Sequence, residues 1–253
     1  IIASRDRFGE KPLLFFKKNE EIILASQVSY INQILQSNPK FNSKKINSFL
    51  QFGYKSLFKN EETFFKNINH IEKSTITTIE KNLKVTKKRY WKLIADKKIE
   101  NLSLKDHISN TKKLLINAID LRLVSDVPIA LNLSGGIDSG AICSIASKIL
   151  GKKLETFSII DSDPRYNEGN LIKATAKDCG VKTNLIKLNK NIDFFDVLKK
   201  STEYNHYPIF TITNLIQYYL SSFVKKRGFR VSLSGAGADE IYGGYYDHYL
   251  MVF

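Results

Sequence analysis

The stretch Val127-Pro-Ile-Ala-Leu-Asn-Leu-Ser-Gly-Gly-Ile-Asp-Ser-Gly-Ala-Ile-Cys143 decides the fold. Val127 to Leu133 is a short apolar run broken by Asn132, a glycine-rich loop follows, and Ser139 to Leu150 reads as a helix. The alternation continues downstream. Leu154 to Ile160 predicts a strand, Asn167 to Cys179 a helix, and Lys182 to Leu188 a strand. Helices are expected at Phe194 to Tyr204 and Asn214 to Lys226, with a last strand at Phe229 to Leu233. Upstream, Leu104, Ile108, Leu115, Ile119 and Leu123 fall at helical spacings, so one stripe of that helix is expected to face a core. Strands alternating with helices of this length imply an α/β fold, a parallel sheet with flanking helices. Such sheets bind ligands beyond the carboxyl ends of their strands.

The first hundred residues have a different pattern. Pro12 to Phe16 and Glu21 to Ala25 read as a hairpin across Lys17-Lys-Asn-Glu20, followed by a helix at Tyr30 to Leu35. A lone hairpin is not a domain. Ile46 to Phe52 reads as helical, and Ser74 to Glu80 with Lys84 to Tyr90 as a second hairpin across Lys81-Asn82. The expected division is residues 1–40, a connecting region at 41–100, and a sheet domain at 101–253.

At 253 residues the chain can bury a sizeable core in one large domain or two. With 43% hydrophobic and 25% charged residues, 13 Gly and 5 Pro, it is neither collagen-like nor disordered. Charged and amide residues break every apolar run before membrane-spanning length. Cys143 and Cys179 are too few for a disulfide framework and have no C-x-x-C spacing, which fits a reducing, cytoplasmic setting and buried, inert thiols. The net charge of +14 raises nucleic acid as a partner. Its lysines are spread in pairs such as Lys17-Lys18, Lys87-Lys88 and Lys199-Lys200, with no aromatic-interleaved stripe, so a solvated surface and no nucleic acid is the expectation. The opening Ile1-Ile2-Ala3-Ser4 and the apolar-aromatic end at Phe253 are expected of a piece of a longer protein.

Two glycine-rich loops sit at predicted strand ends, Leu133-Ser-Gly-Gly-Ile-Asp-Ser139 and Ser232-Leu-Ser-Gly-Ala-Gly-Ala-Asp-Glu240. Gly135 and Gly136 let the backbone approach a ligand, and the helix that follows offers N–H groups and its positive end to an anion. Ser134 and Ser139 add hydroxyls, and Asp138 a hard oxygen suited to Mg²⁺. A G-x-x-x-x-G-K-[ST] loop is excluded, because no Lys follows Gly136 before Lys148. A G-x-G-x-x-G fingerprint fails too, since Glu240 stands in the third glycine position.

These residues carry a resemblance. Ser134-Gly-Gly-Ile-Asp-Ser139 resembles the SGGxDS pyrophosphate loop of the adenine-nucleotide α-hydrolase superfamily. Leu233-Ser-Gly-Ala-Gly-Ala-Asp-Glu-Ile-Tyr-Gly-Gly-Tyr245 resembles the LSGxGADExxGGY segment of glutamine-hydrolysing asparagine synthetases, and Ser125-Asp-Val-Pro-Ile-Ala130 is similar to that family as well. Ser4-Arg-Asp-Arg-Phe-Gly-Glu-Lys-Pro-Leu13 is similar to a segment near the end of the family's N-terminal glutaminase domain. The resemblance runs from about residue 3 to residue 250. It implies that residues 1–40 are the last strands of an N-terminal nucleophile-type α+β glutaminase domain, and that 101–253 form the synthetase domain.

The resemblance implies ATP-dependent activation of a carboxylate as an acyl-adenylate, with release of pyrophosphate and attack by glutamine-derived ammonia. Ser134, Gly135, Gly136, Asp138 and Ser139 would hold the pyrophosphate. Leu133, Ile159, Ser234 and Gly235 would face the adenosine, and Asp138 and Asp239 would bind Mg²⁺. The partners it implies are ATP, a carboxylate acceptor and ammonia, and it allows a homodimer. Gly243 and Gly244 are expected to form a turn, and His206 to lie at the surface or a substrate edge. Two departures bear on the acceptor. Ala236 stands where many family members have Glu, and Tyr204-Asn-His-Tyr-Pro208 lacks the acidic residue often found before that proline. Aspartate is the default acceptor, a sugar carboxylate the alternative, and a tRNA-modifying superfamily member or a non-catalytic scaffold the readings beyond these.

Overall fold

The computed structural model describes residues 1–94, 99, 101–188 and 192–251, so the expected boundary at residue 100 lies outside the described residues. The chain forms two compact units: Ile1–Lys97 with Phe195–Asn214, and Lys98–Phe194 with Leu215–Phe253.

In the first unit, strands β1 (Ile2–Ser4), β2 (Leu14–Lys18) and β3 (Glu21–Ala25) precede helices α1 (Val28–Leu35) and α2 (Ser43–Phe52). Strands β4 (Ile68–His70), β5 (Thr75–Ile79) and β6 (Val85–Arg89) follow. They form two three-stranded sheets, β1-β5-β6 and β3-β2-β4. Each sheet joins strands from before and after residue 40: Ala3 pairs with Thr77, and Phe16 with Ile68. Sequence reading missed β1 and β4, which are three residues each, too short to show alternation. Leu14, Phe16, Val28, Ile31 and Ile68 make the core that covers the second sheet with α1.

The second unit is built on a four-stranded parallel sheet. Helix α3 (Leu104–Arg122) leads into β7 (Ile129–Asn132), and α4 (Ile137–Ser144) continues as a π turn over Ile145–Ile149. Then come β8 (Glu155–Ile160), α5 (Gly169–Cys179), β9 (Lys182–Lys187), α6 (Phe194–Asn205), most of which belongs to the first unit, and α7 (Ile212–Lys226). Strand β10 (Val231–Leu233) and the short helices α8 (Ala238–Tyr242) and α9 (Tyr246–Leu250) complete the described chain. The strand order is β10-β7-β8-β9 with every pairing parallel. All four residues of β7 are buried, as a central strand covered on both faces requires. Leu131, Leu133, Cys143, Ile172, Ala176 and Cys179 pack one face against α4 and α5, while Ala130 and Phe157 meet Leu220 and Val224 of α7 on the other.

Two expectations change. The stripe on α3 does not face a core along its whole length: Leu104 and Ile108 are 76% and 61% exposed, and only the part around Leu115, Ile119 and Leu123 packs against the sheet. The helix expected from Ser139 begins two residues earlier, because Gly136 takes the cap position, and it ends in a wider turn. There Leu150 N–H bonds to the Ile145 carbonyl and the Ser147 hydroxyl donates to the Cys143 carbonyl at 2.8 Å. Cys143 and Cys179 are both buried, and burial, with the neighbouring Cys179 thiol, pushes the Cys143 thiol up to about 12. No described helix is long and apolar enough to cross a membrane.

Candidate active site at the switch point of the parallel sheet

From β7 the sheet grows through β8 to β9 on one side, while β10 lies on the other. The crevice beyond the carboxyl ends of β7 and β10 is therefore a topological switch point, the place where open α/β sheets bind ligands. Both glycine-rich loops open into it.

The first loop is tied down from inside. Leu133, 3% exposed, donates its N–H to the Phe157 carbonyl at 3.0 Å. Ser139 is buried, and its hydroxyl accepts the Ser134 N–H at 3.0 Å and lies 2.8 Å from the Ser134 hydroxyl. The Ser134 and Gly136 carbonyls are within its reach at 3.2 and 3.3 Å. Gly136 N–H in turn meets Ser134 Oγ at 3.2 Å. Gly136 caps α4 without a side chain, which leaves the first-turn N–H groups and the positive end of the helix for an anion. Gly135 is required by space: a Cβ there would stand 2.9 Å from Glu168 Cβ and 3.2 Å from Leu171 Cβ.

The second loop seats on the first. A Cβ on Gly235 would lie 2.9 Å from Asp138 Cβ and 3.0 Å from the Ser139 nitrogen, so glycine alone lets the loops touch. Gly237, at φ +100°, turns the chain into α8, whose first turn carries Asp239. The Asp239 carbonyl accepts the Gly243 and Gly244 N–H groups at 2.9 and 3.0 Å, and its carboxylate occupies the space a side chain on Gly244 would need. Gly243-Gly244 thus forms the turn expected of it, with Gly243 at φ +75°.

Ser134, Gly135, Gly136, Asp138, Ser139, Ser234 and Gly235 accordingly gather around two adjacent strand ends. Leu133 packs in the core, and Ile159, near the end of β8, packs with Phe157, Ala130 and the α7 residues. Ala236 is exposed, as are Ser134 and Ser234. His206 lies in the first unit, at φ +56° beyond the end of α6 and edge-on to Phe65. Among the described residues no three His, Cys, Asp or Glu side chains converge on a metal position. The two aspartates are still a fitting donor set for Mg²⁺, which takes one or two carboxylates and completes its shell with phosphate and water. Sequence reading missed Glu168, whose carboxylate accepts the Gly135 N–H at 2.8 Å. Its only local trace is a polar Asn167-Glu168 break ahead of a helix, while its place beside the loop depends on β8 lying next to β7.

The Ser4–Leu13 segment is a closed knot of hydrogen bonds. Arg5 donates from Nε to the Lys11 carbonyl at 3.0 Å, from Nη1 to Ile71 at 2.8 Å and from Nη2 to Gly9 at 2.9 Å. Asp6 accepts the N–H groups of Phe8, Glu10 and Lys11. Burial raises its pKa, but these backbone donors outweigh that and hold the carboxyl below its usual value.

Residues 110–252 match the asparagine synthase family, and residues 1–91 match a glutamine amidotransferase domain. The chain belongs to the asparagine synthase family. A homologue of asparagine synthetases from Methanocaldococcus jannaschii is 30% identical over 98% of this chain and 47% of its own length. The glutamine-hydrolyzing asparagine synthetase 1 of Bacillus subtilis is 26% identical over 97% of this chain and 37% of its own length. Amidase chry2 of Gibberella zeae is 26% identical over 97% of this chain and 38% of its own length. The chain therefore spans less than half the length of these asparagine synthase relatives.

Proposed function

We propose that the chain is part of an enzyme that uses ATP to activate a carboxylate as an acyl-adenylate and amidates it with ammonia from glutamine, aspartate being the default acceptor. The contact of Gly235 with Asp138 and Ser139 carries this reading, because it brings both motif loops to one anion-binding helix end. Ser134, Gly135, Gly136, Asp138 and Ser139 would bind the leaving pyrophosphate and so favour the charge that develops as the bond to the α-phosphate breaks. Leu133, Ile159, Ser234 and Gly235 would line the adenosine, largely through backbone groups. Asp138 and Asp239 would hold Mg²⁺, which when bound neutralises phosphate charge. Residues 1–91, whose two sheets take strands from both sides of residue 40, would belong to the glutaminase domain in place of the expected division at 40, and 101–253 would form the synthetase domain. The substrates would be small molecules handled in the cytoplasm without nucleic acid, and a homodimer fits the reading.

One observation favours a second acceptor. Ala236 is exposed on the second loop and offers no carboxylate to take a proton from incoming ammonia. A sugar carboxylate is then the alternative to aspartate. Pyrophosphate release by the full-length protein that contains this chain, with Mg-ATP and ammonia, measured with aspartate, with uronic acids and with no acceptor, separates the two. An aspartate-dependent signal abolished by Asp138→Ala supports asparagine synthesis. Release with a uronic acid alone transfers the same chemistry to a sugar acceptor, and silence with every acceptor overturns the amidation reading.

A further inference from the structure

The Gly135 N–H is held by a charged side chain. Ser134 N–H and Gly136 N–H point to the hydroxyls of Ser139 and Ser134, whereas Gly135 N–H points to Glu168 Oε2 at 2.8 Å. The Glu168 backbone is firmly placed. Asn167 accepts the Gly169 N–H at 2.9 Å and donates to the Asp161 carbonyl at 2.9 Å, and the Glu168 carbonyl accepts the Ile172 N–H at 3.0 Å. Its carboxylate, in contrast, is at an exposed contact, so rotation of the side chain alone releases the amide.

A carboxylate oxygen and a phosphate oxygen offer an N–H the same chemistry, and two anions on one donor repel each other. From this geometry we infer that Glu168 is an internal competitor for the phosphate loop: its carboxylate occupies the Gly135 N–H and must leave it before a phosphate group takes its place. The inference rests on the phosphate-binding reading of residues 134–139. It adds a device that sets how tightly the loop holds pyrophosphate, and therefore how readily pyrophosphate departs after adenylation.

The test is calorimetric titration of magnesium pyrophosphate into the full-length protein that contains this chain and into its Glu168→Gln and Glu168→Ala variants, at low and high salt, with melting curves to confirm folding. Removing the charge should tighten binding about fivefold in both variants, the scale of one charge at contact distance near water. That gain should shrink at high salt. Binding weakened in Glu168→Ala and kept in Glu168→Gln would overturn the inference and make Glu168 a positioning residue, since glutamine keeps the acceptor and loses only the charge. Equal affinity in all three proteins would also overturn it. Absence of binding in all three defeats the phosphate reading itself, and the competition with it. The Gly135 amide resonance in glycine-labelled protein tells the cases apart, because it shifts on Glu168→Ala wherever the contact exists.

Discussion

The two glycine-rich loops leave adjacent parallel strands and touch at Gly235 and Asp138, yet they are built differently. Loop 133–139 is cross-linked by the hydroxyls of Ser134 and Ser139, rooted in the core through Leu133, and continued by a helix of eight residues. Loop 233–239 is held by close backbone approach and by glycine conformations, and it leads into helices of five residues each. The first is a cradle whose shape comes from its own hydrogen bonds. The second takes its place by resting on the first. The two halves of the site should therefore differ in what breaks them.

The largest effect is expected at their contact. Gly235→Ala puts a methyl group 3.0 Å from the Ser139 nitrogen, a backbone atom with little room to yield. It should lower acceptor-dependent pyrophosphate release by about a hundredfold, the scale of losing aligned transition-state donors. A variant that keeps full activity would show that the loops need not touch. Next comes Ser139→Ala, which removes the acceptor of the Ser134 N–H and the knot around it. A loss of about 1–3 kcal/mol is expected in urea unfolding. A loss no greater than that of an exposed serine would contradict the self-supporting cradle.

Smaller effects sharpen the contrast. Gly237→Ala meets no atom within 4 Å, so only its φ of +100° opposes the change. Destabilisation near 1 kcal/mol is expected, measured by the same unfolding. Gly140 sits inside α4, where an added Cβ meets only Thr175 Cγ2 at 3.9 Å. Gly140→Ala should therefore raise stability by about 0.5–1 kcal/mol and leave pyrophosphate release unchanged. A lower melting temperature would mean that α4 needs flexibility there.

Much of the fold was legible because its signals are local. Apolar runs, turn residues and helical spacing lie within a few residues of each other, so the strand and helix alternation after Leu104 was readable. The short partners Ile2–Ser4 and Ile68–His70 were not, since three residues carry no period and their strand character depends on Thr75–Ile79 and Leu14–Lys18. The exposure of Leu104 and Ile108 was hidden for a related reason: spacing shows that residues share a face and leaves open what covers it. Within the candidate site, the SGGxDS and GADE segments were evident in the sequence as glycine-rich loops at strand ends. Glu168 was not, because nothing in its neighbours marks it as a partner of Gly135.

By itself the sequence determined the class of the second unit, the two loops and their order, and the hard-oxygen and glycine chemistry they contain, all set by residues adjacent in the chain. Tertiary structure alone decided that Gly235 rests on Asp138, that Glu168 holds the Gly135 amide, and that Ile2–Ser4 joins Thr75–Ile79 in one sheet. The physical reason is that these contacts join residues tens of positions apart, through a strand order and a close backbone approach that no local pattern encodes.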